Sequence, residues 1–145
     1  MPTSTSAVPT SSPTPAPSSA PARWLWAGRI LSALPILFLT FDGVAKVMRL
    51  PPVLEACAKL GYSEHVAGSL GITLLVCVVL YAIPRTSMLG AILLTGYLGG
   101  AVATHVRVGD PLFSHILFPT YVAALIWGGL CLREARLGEL LPFRK

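Results

Sequence analysis

Two apolar stretches decide the fold: residues 66–83, VAGSLGITLLVCVVLYAI, and residues 87–104, SMLGAILLTGYLGGAVAT. Neither contains a charged side chain, and each comes close to the roughly 20 residues that an α-helix needs to cross a bilayer. Only Pro84, Arg85 and Thr86 separate them. Because proline ends a helix, the two stretches are predicted to form a tight antiparallel hairpin of membrane-spanning helices.

Two further apolar runs flank this hairpin, the first over about residues 24–47 and the last over about residues 115–132. After the first run, Pro51 and Pro52 interrupt the chain, and apolar residues then recur at helical spacing up to Gly61, which predicts a short interfacial helix. The predicted fold class is an all-α integral membrane four-helix bundle over residues 23–133, with this short helix between spans one and two.

The composition indicates that the solvent of this fold is lipid. Apolar residues make up 54% of the chain and charged residues 12%, about half the charged fraction of a soluble domain. The net charge of +5 does not indicate nucleic acid, because the basic residues stand singly and form no stripe. The three cysteines have no CxxC spacing, so neither a zinc site nor a disulfide framework is predicted.

The two ends of the chain differ from the apolar runs. Residues 1–22 are almost entirely Ser, Thr, Pro and Ala, which predicts a disordered tail, and residues 134–145 form a charged tail. Of the eleven Lys and Arg residues, seven lie on the side of the chain ends and four on the other side. The positive-inside rule therefore predicts that both termini are cytoplasmic.

Polar residues gather on the side opposite the termini. Asp42 and Lys46 share one helix face near the end of the first span, and charges at that depth are functional candidates. The histidines His65, His105 and His115 lie at the same ends of spans two, three and four. Such imidazoles can relay protons or hydrogen-bond a quinone carbonyl, but they lack helical metal-ligand spacing, so no metal site is predicted. The alternative is that Lys46 snorkels to the interface beside Asp42 and the histidines contact lipid headgroups.

Tyr97 and Thr104 lie on nearly one face of the third span, which leads towards His105. They either form a hydrogen-bonding track into the cluster or make hydrogen bonds between helices. The candidate cluster therefore comprises Asp42, Lys46, His65, Thr104, His105, Asp110 and His115. Small residues predicted to serve close helix packing are Gly96, Gly99, Gly100, Gly128 and Gly129. Such residues serve contacts within one chain or between chains, so they do not decide whether the protein is a homo-oligomer.

The order of several short motifs resembles the DoxX-like family over about residues 26–132. The motifs are FDGVAK at 41–46, LGY at 60–62, PR at 84–85, GAVATH at 100–105 and RVGD at 107–110. The resemblance implies a bacterial four-helix inner-membrane protein, related to DoxX and to DoxD-type subunits associated with thiosulfate:quinone oxidoreduction. It implies no agreed reaction.

Residue by residue, Gly43 and Lys46 correspond to the family's G-x-x-K element, and Thr104 and His105 to the end of its third-helix motif. Thr73 stands where family members often carry a glutamate early in the second helix. The resulting hypothesis is a membrane subunit or accessory of a redox system that places a quinone or a small sulfur compound near Lys46 and His105. No cofactor ligand is evident in the sequence, so the electrons would come from a membrane partner protein. The alternative is a non-catalytic scaffold that assembles partner proteins.

Overall fold

The computed structural model describes residues 22–134 and residue 137. Its elements are α1 (Ala22–Val47), α2 (Pro51–Lys59), α3 (Glu64–Ala82), α4 (Ser87–Val108), a short π-helix (Leu112–Ile116) and α5 (Phe118–Arg133). Among the described residues, four helical units are long and apolar enough to span a membrane: α1, α3, α4 and the π-helix joined to α5. The predicted all-α membrane four-helix bundle is thereby confirmed.

The short helix predicted between the first two spans is confirmed as α2. It begins at Pro51, where a missing backbone N–H removes no helical hydrogen bond. α4 continues one turn beyond the predicted end at Thr104 and stops at Gly109, whose φ of +74° suits the left-handed turn that ends a helix. The predicted tails, 1–22 and 134–145, lie outside the described residues apart from Ala22, Glu134 and Leu137.

The four long helices form a bundle in which α1 and α4 stand at opposite corners and each packs against both α3 and α5. The core between them is apolar and includes Leu74 on α3, Leu94 on α4, and Ile126 and Leu130 on α5, all fully buried. Many apolar side chains point outwards instead, for example Ile72 and Val79 on α3. This exposure suits a surface in contact with lipid tails.

One end of the bundle, called the hairpin end, contains the turn from Ile83 to Thr86. Gly90 lets the backbones of α3 and α4 touch there, because a Cβ at this position would collide with the backbone of Tyr81. The Tyr81 hydroxyl donates to the carbonyl of Ile126 at 2.8 Å and lies 3.0 Å from Ser32 Oγ. The hairpin end is therefore tightly packed and joins α1, α3 and α5.

The opposite end, called the polar end, is where α1 and α4 finish and where α3 and the π-helix begin. Here α3 packs closely on α1. A Cβ added to Gly71 would lie 2.8 Å from both the Gly43 carbonyl oxygen and the Lys46 Cβ. Because α3 approaches α1 at this end and α4 at the other, the bundle holds space beside α4 at its polar end.

Candidate functional site

A cavity of about 420 Å³ occupies the polar end of the bundle. Its walls come from α1, α4 and the start of α5, with single contributions from α3 at Leu70 and from α2 at Cys57. Most of the lining is apolar, and the rings of Phe38 and Phe118 meet edge to face beside it at 5.3 Å between centroids. A volume of this size falls within the range of about 300–1,000 Å³ that holds small organic ligands in proteins.

Asp42 and Lys46 place an ion pair on the α1 wall of this cavity. The two residues are one helical turn apart, and the Lys46 ammonium donates to Asp42 Oδ2. The pair is mostly sheltered, with 17% of the Lys46 side chain and 33% of the Asp42 side chain exposed. Because the two charges compensate each other, the cavity presents strong hydrogen-bonding groups without a net charge from this wall.

His105 supplies the second polar group, from the α4 wall. Its Nδ1 lies 2.6 Å from Oδ2 of Asp110, which the left-handed turn at Gly109 brings back beside the helix end. A carboxylate at Nδ1 favours the tautomer that carries the proton on that nitrogen, so Nε2 is the nitrogen presented to a ligand.

Thr104 and Tyr62 close the water side of the cavity. Thr104 Oγ1 donates to the Gly100 carbonyl at 2.9 Å, so it accepts at 2.7 Å from the hydroxyl of Tyr62. A second contact on this side comes from Arg107, whose guanidinium donates to the Leu60 carbonyl at 2.5 Å. These two contacts join the segment after α2 to the end of α4. We call residues 60–62 the lid segment.

The structure thus brings most of the predicted cluster together. Asp42, Lys46, Thr104 and His105 line the cavity, and Asp110 supports His105. The sixth associated residue is His115 on the π-helix: its ring lies edge-on to the His105 ring at 5.9 Å, and its Nδ1 is 2.8 Å from Ser114 Oγ.

His65 is not part of this arrangement. It lies exposed at the start of α3 and does not line the cavity. Among the described residues, no group of three or more His, Cys, Asp and Glu side chains is arranged to hold a metal ion.

The glycines divide into two groups. Gly128 and Gly129 face α1, where added Cβ atoms would lie 3.2 Å from Leu31 Cδ2 and 2.9 Å from the Ser32 backbone nitrogen. On α4 the situation differs, because within the described part of the chain no atom of another helix lies within 4 Å of a Cβ added to Gly96, Gly99 or Gly100. Gly96 and Gly100 instead form part of the cavity wall.

Two residues that line the cavity are not predicted from the sequence. Tyr62 belongs to the LGY motif and its hydroxyl lies at the cavity, whereas Phe118 is one apolar residue within the fourth span. A tyrosine directly after a Leu-Gly turn at a membrane interface is a weak signal, because interfacial aromatic belts give the same pattern.

The comparisons with known proteins agree with the fold and with the motifs. A model of the DoxX-like family matches residues 30–129, which contain α2, α3, α4, the π-helix and most of α1 and α5. Neither the curated proteins nor the solved structures contain a match to the chain. The matched region holds every residue of the cavity wall described above. The protein is therefore a multi-pass membrane protein of the DoxX-like family.

Proposed function

We propose that this protein is the quinone-binding membrane subunit of a redox system, with the quinone ring held in the cavity between Lys46 and His105. The observation that carries the proposal is the convergence of these two side chains, from opposite corners of the bundle, on one largely apolar cavity. Lipid-soluble quinones combine the same two properties, an apolar ring and two opposed carbonyl oxygens.

Lys46 and His105 suit a quinone because each is held by a carboxylate and each can donate to a carbonyl oxygen, His105 only when its Nε2 also carries a proton. The ammonium of Lys46 can donate to one carbonyl while it remains paired with Asp42. The imidazole of His105, once protonated, can donate through Nε2 while Asp110 holds Nδ1. Both interactions strengthen as negative charge develops on the quinone oxygens, so they favour its reduced forms.

Reduction of the bound quinone requires two electrons and two protons. The proposed role of His105 is to deliver one proton through Nε2 while Asp110 accepts the hydrogen bond from Nδ1, and the proposed role of the Lys46 ammonium is to deliver the other proton to the second quinone oxygen, both groups being reprotonated from water. The electrons come from a partner protein in the same membrane that carries its own redox cofactor, since this chain is proposed to bind the acceptor only. The proposed setting is the bacterial inner membrane with both termini in the cytoplasm, which places the cavity at the opposite face.

An assembly role is the second candidate function. Gly99 and Ala103 favour it, because both are exposed on α4, and small residues on a lipid-facing helix let a partner helix approach closely. If the protein both binds a quinone and assembles with a partner, this face of α4 would contact the electron-donating partner. In the scaffold view, the contact is the whole function and the cavity binds no quinone.

Binding of menadione, a naphthoquinone without a tail, tests the proposal directly. The purified protein is titrated at fixed detergent concentration, together with the Lys46→Met and His105→Ala variants. Lys59→Met and His65→Ala serve as matched controls, because both residues are exposed and lie outside the cavity wall. We expect the two cavity variants to lose about tenfold in affinity each, and the two controls to bind like the wild type.

Absence of menadione binding to the wild-type protein would refute the proposal. Equal losses in the cavity variants and in their controls would refute the assigned site. If the protein binds no quinone but Gly99→Leu abolishes recovery of one membrane partner, the scaffold function is the correct one.

A further inference from the structure

The two ends of the cavity are lined by different kinds of residue. At the polar end it is bounded by Lys46 and His105, and at its other end by Gly96 and Tyr97. Gly96 precedes His105 by nine residues on α4, which corresponds to about 14 Å along the helix axis. Since the hydrocarbon core of a bilayer is about 30 Å thick, the deep end of the cavity lies near the middle of the membrane.

The deep end also reaches the side of α4 that faces away from the core. Gly96 is two residues from Leu94 and two from Leu98, and both leucines are buried in the bundle. Two residues correspond to about 200° around an α-helix, so Gly96 lies on the opposite side from them. It is exposed, as are its neighbours Ile92 and Leu93 one turn away, yet it forms part of the cavity wall.

Gly96 and Gly100 keep this passage open. They are one turn apart, and no described atom of another helix lies within 4 Å of a Cβ added at either position. On the water side the cavity is covered instead, by the contacts of Tyr62 with Thr104 and of Arg107 with Leu60. The clearer path to the cavity therefore runs sideways from the lipid.

We infer that the ligand is a long-tailed lipid quinone that is taken up sideways from the bilayer, with its ring at Lys46 and His105 and its polyprenyl tail leaving over Gly96. This inference rests on the proposed quinone-binding function and specifies the class of quinone and its path. The mid-membrane depth of the opening favours an apolar tail as its occupant, because any polar group at that depth would need partners.

Two quinones with the same ring test the inference: menadione, which has no tail, and menaquinone, which carries a polyprenyl tail. Each is titrated against the wild-type protein, Gly96→Leu and Gly99→Leu at one detergent concentration. Gly99 is the matched control, because it is exposed and open like Gly96 but does not line the cavity. A thermal melt of each variant verifies that the bundle is intact.

We expect Gly96→Leu to weaken menaquinone binding by about tenfold and menadione binding by less than about threefold, with Gly99→Leu affecting neither. If Gly96→Leu changes the two affinities by the same factor, or changes neither, the tail does not pass this residue and the inference is wrong while quinone binding stands. If the wild-type protein binds neither quinone, the proposed function itself fails. A menaquinone loss in Gly99→Leu equal to that in Gly96→Leu would also overturn the assigned path.

Discussion

The hydroxyl of Tyr62 lies 2.7 Å from Thr104 Oγ1 and joins two positions that are 42 residues apart in the chain. Thr104 is buried on α4, whereas Tyr62 follows the left-handed Gly61, whose φ is +77°. The contact therefore fixes the lid segment over the cavity. Tyr62 is the donor in this hydrogen bond, because the Thr104 hydroxyl hydrogen is directed to the Gly100 carbonyl.

The Tyr62→Phe variant tests whether this hydrogen bond holds the lid segment. A single hydrogen bond of this kind contributes about 1 kcal/mol, which corresponds to roughly a fivefold change in the population of an open state. We expect amide hydrogen exchange of residues 60–64 to accelerate by about that factor. Tyr121→Phe, on the exposed side of α5, is the control and should leave this exchange unchanged. Unchanged exchange in Tyr62→Phe would show that this hydrogen bond does not hold the segment.

Asp110 is proposed to act through His105, as a positioning residue. In Asp110→Asn the amide oxygen can still accept from His105 Nδ1, whereas Asp110→Ala removes the partner altogether. Menadione affinity should therefore stay within about threefold of wild type in the first variant and fall by about tenfold in the second. Equal affinities in all three proteins would mean that His105 needs no partner to bind the quinone.

The close approach of α1 and α3 at Gly43 and Gly71 leads to a prediction about the stability of the bundle. An added methyl at Gly71 would lie 2.8 Å from the backbone of Gly43, so the helices must separate to accept it. We expect Gly71→Ala to destabilise the bundle by about 1–3 kcal/mol and to lower its melting temperature in detergent. Gly99→Ala introduces the same methyl into open space, and its melting temperature should match the wild type. A Gly71→Ala protein as stable as Gly99→Ala would contradict this packing.

Much of the fold is legible in the sequence, because membrane spans are encoded by the length and polarity of single segments. The hairpin of α3 and α4 follows from Pro84, and the pairing of His105 with Asp110 is local, made by the turn at Gly109. The extra turn of α4 beyond Thr104 does not follow from the apolar run alone, because it contains Arg107, which lies in the last helical turn.

The close contacts between helices could not be predicted from the sequence in the same way. The small residues Gly96 and Gly100 have the pattern of a packing motif, but the pattern does not say whether a partner occupies that face. In the structure they border open space, whereas Gly71, Gly90 and Gly129 lie where helices approach closely. Likewise, the contact of Tyr62 with Thr104 depends on how α2 and α4 are arranged, which no local spacing determines.

The central claim is that a quinone occupies the cavity at the polar end. Photolabelling with an azido-substituted menadione, followed by mass spectrometric mapping of the labelled residues, tests it most directly. We predict labels on α1 between Phe38 and Lys46 and on α4 between Gly96 and His105, competed by unmodified menadione and weakened in Lys46→Met and His105→Ala. Labels confined to lipid-facing positions such as Val76 and Val79, or labels that menadione does not displace, would contradict it.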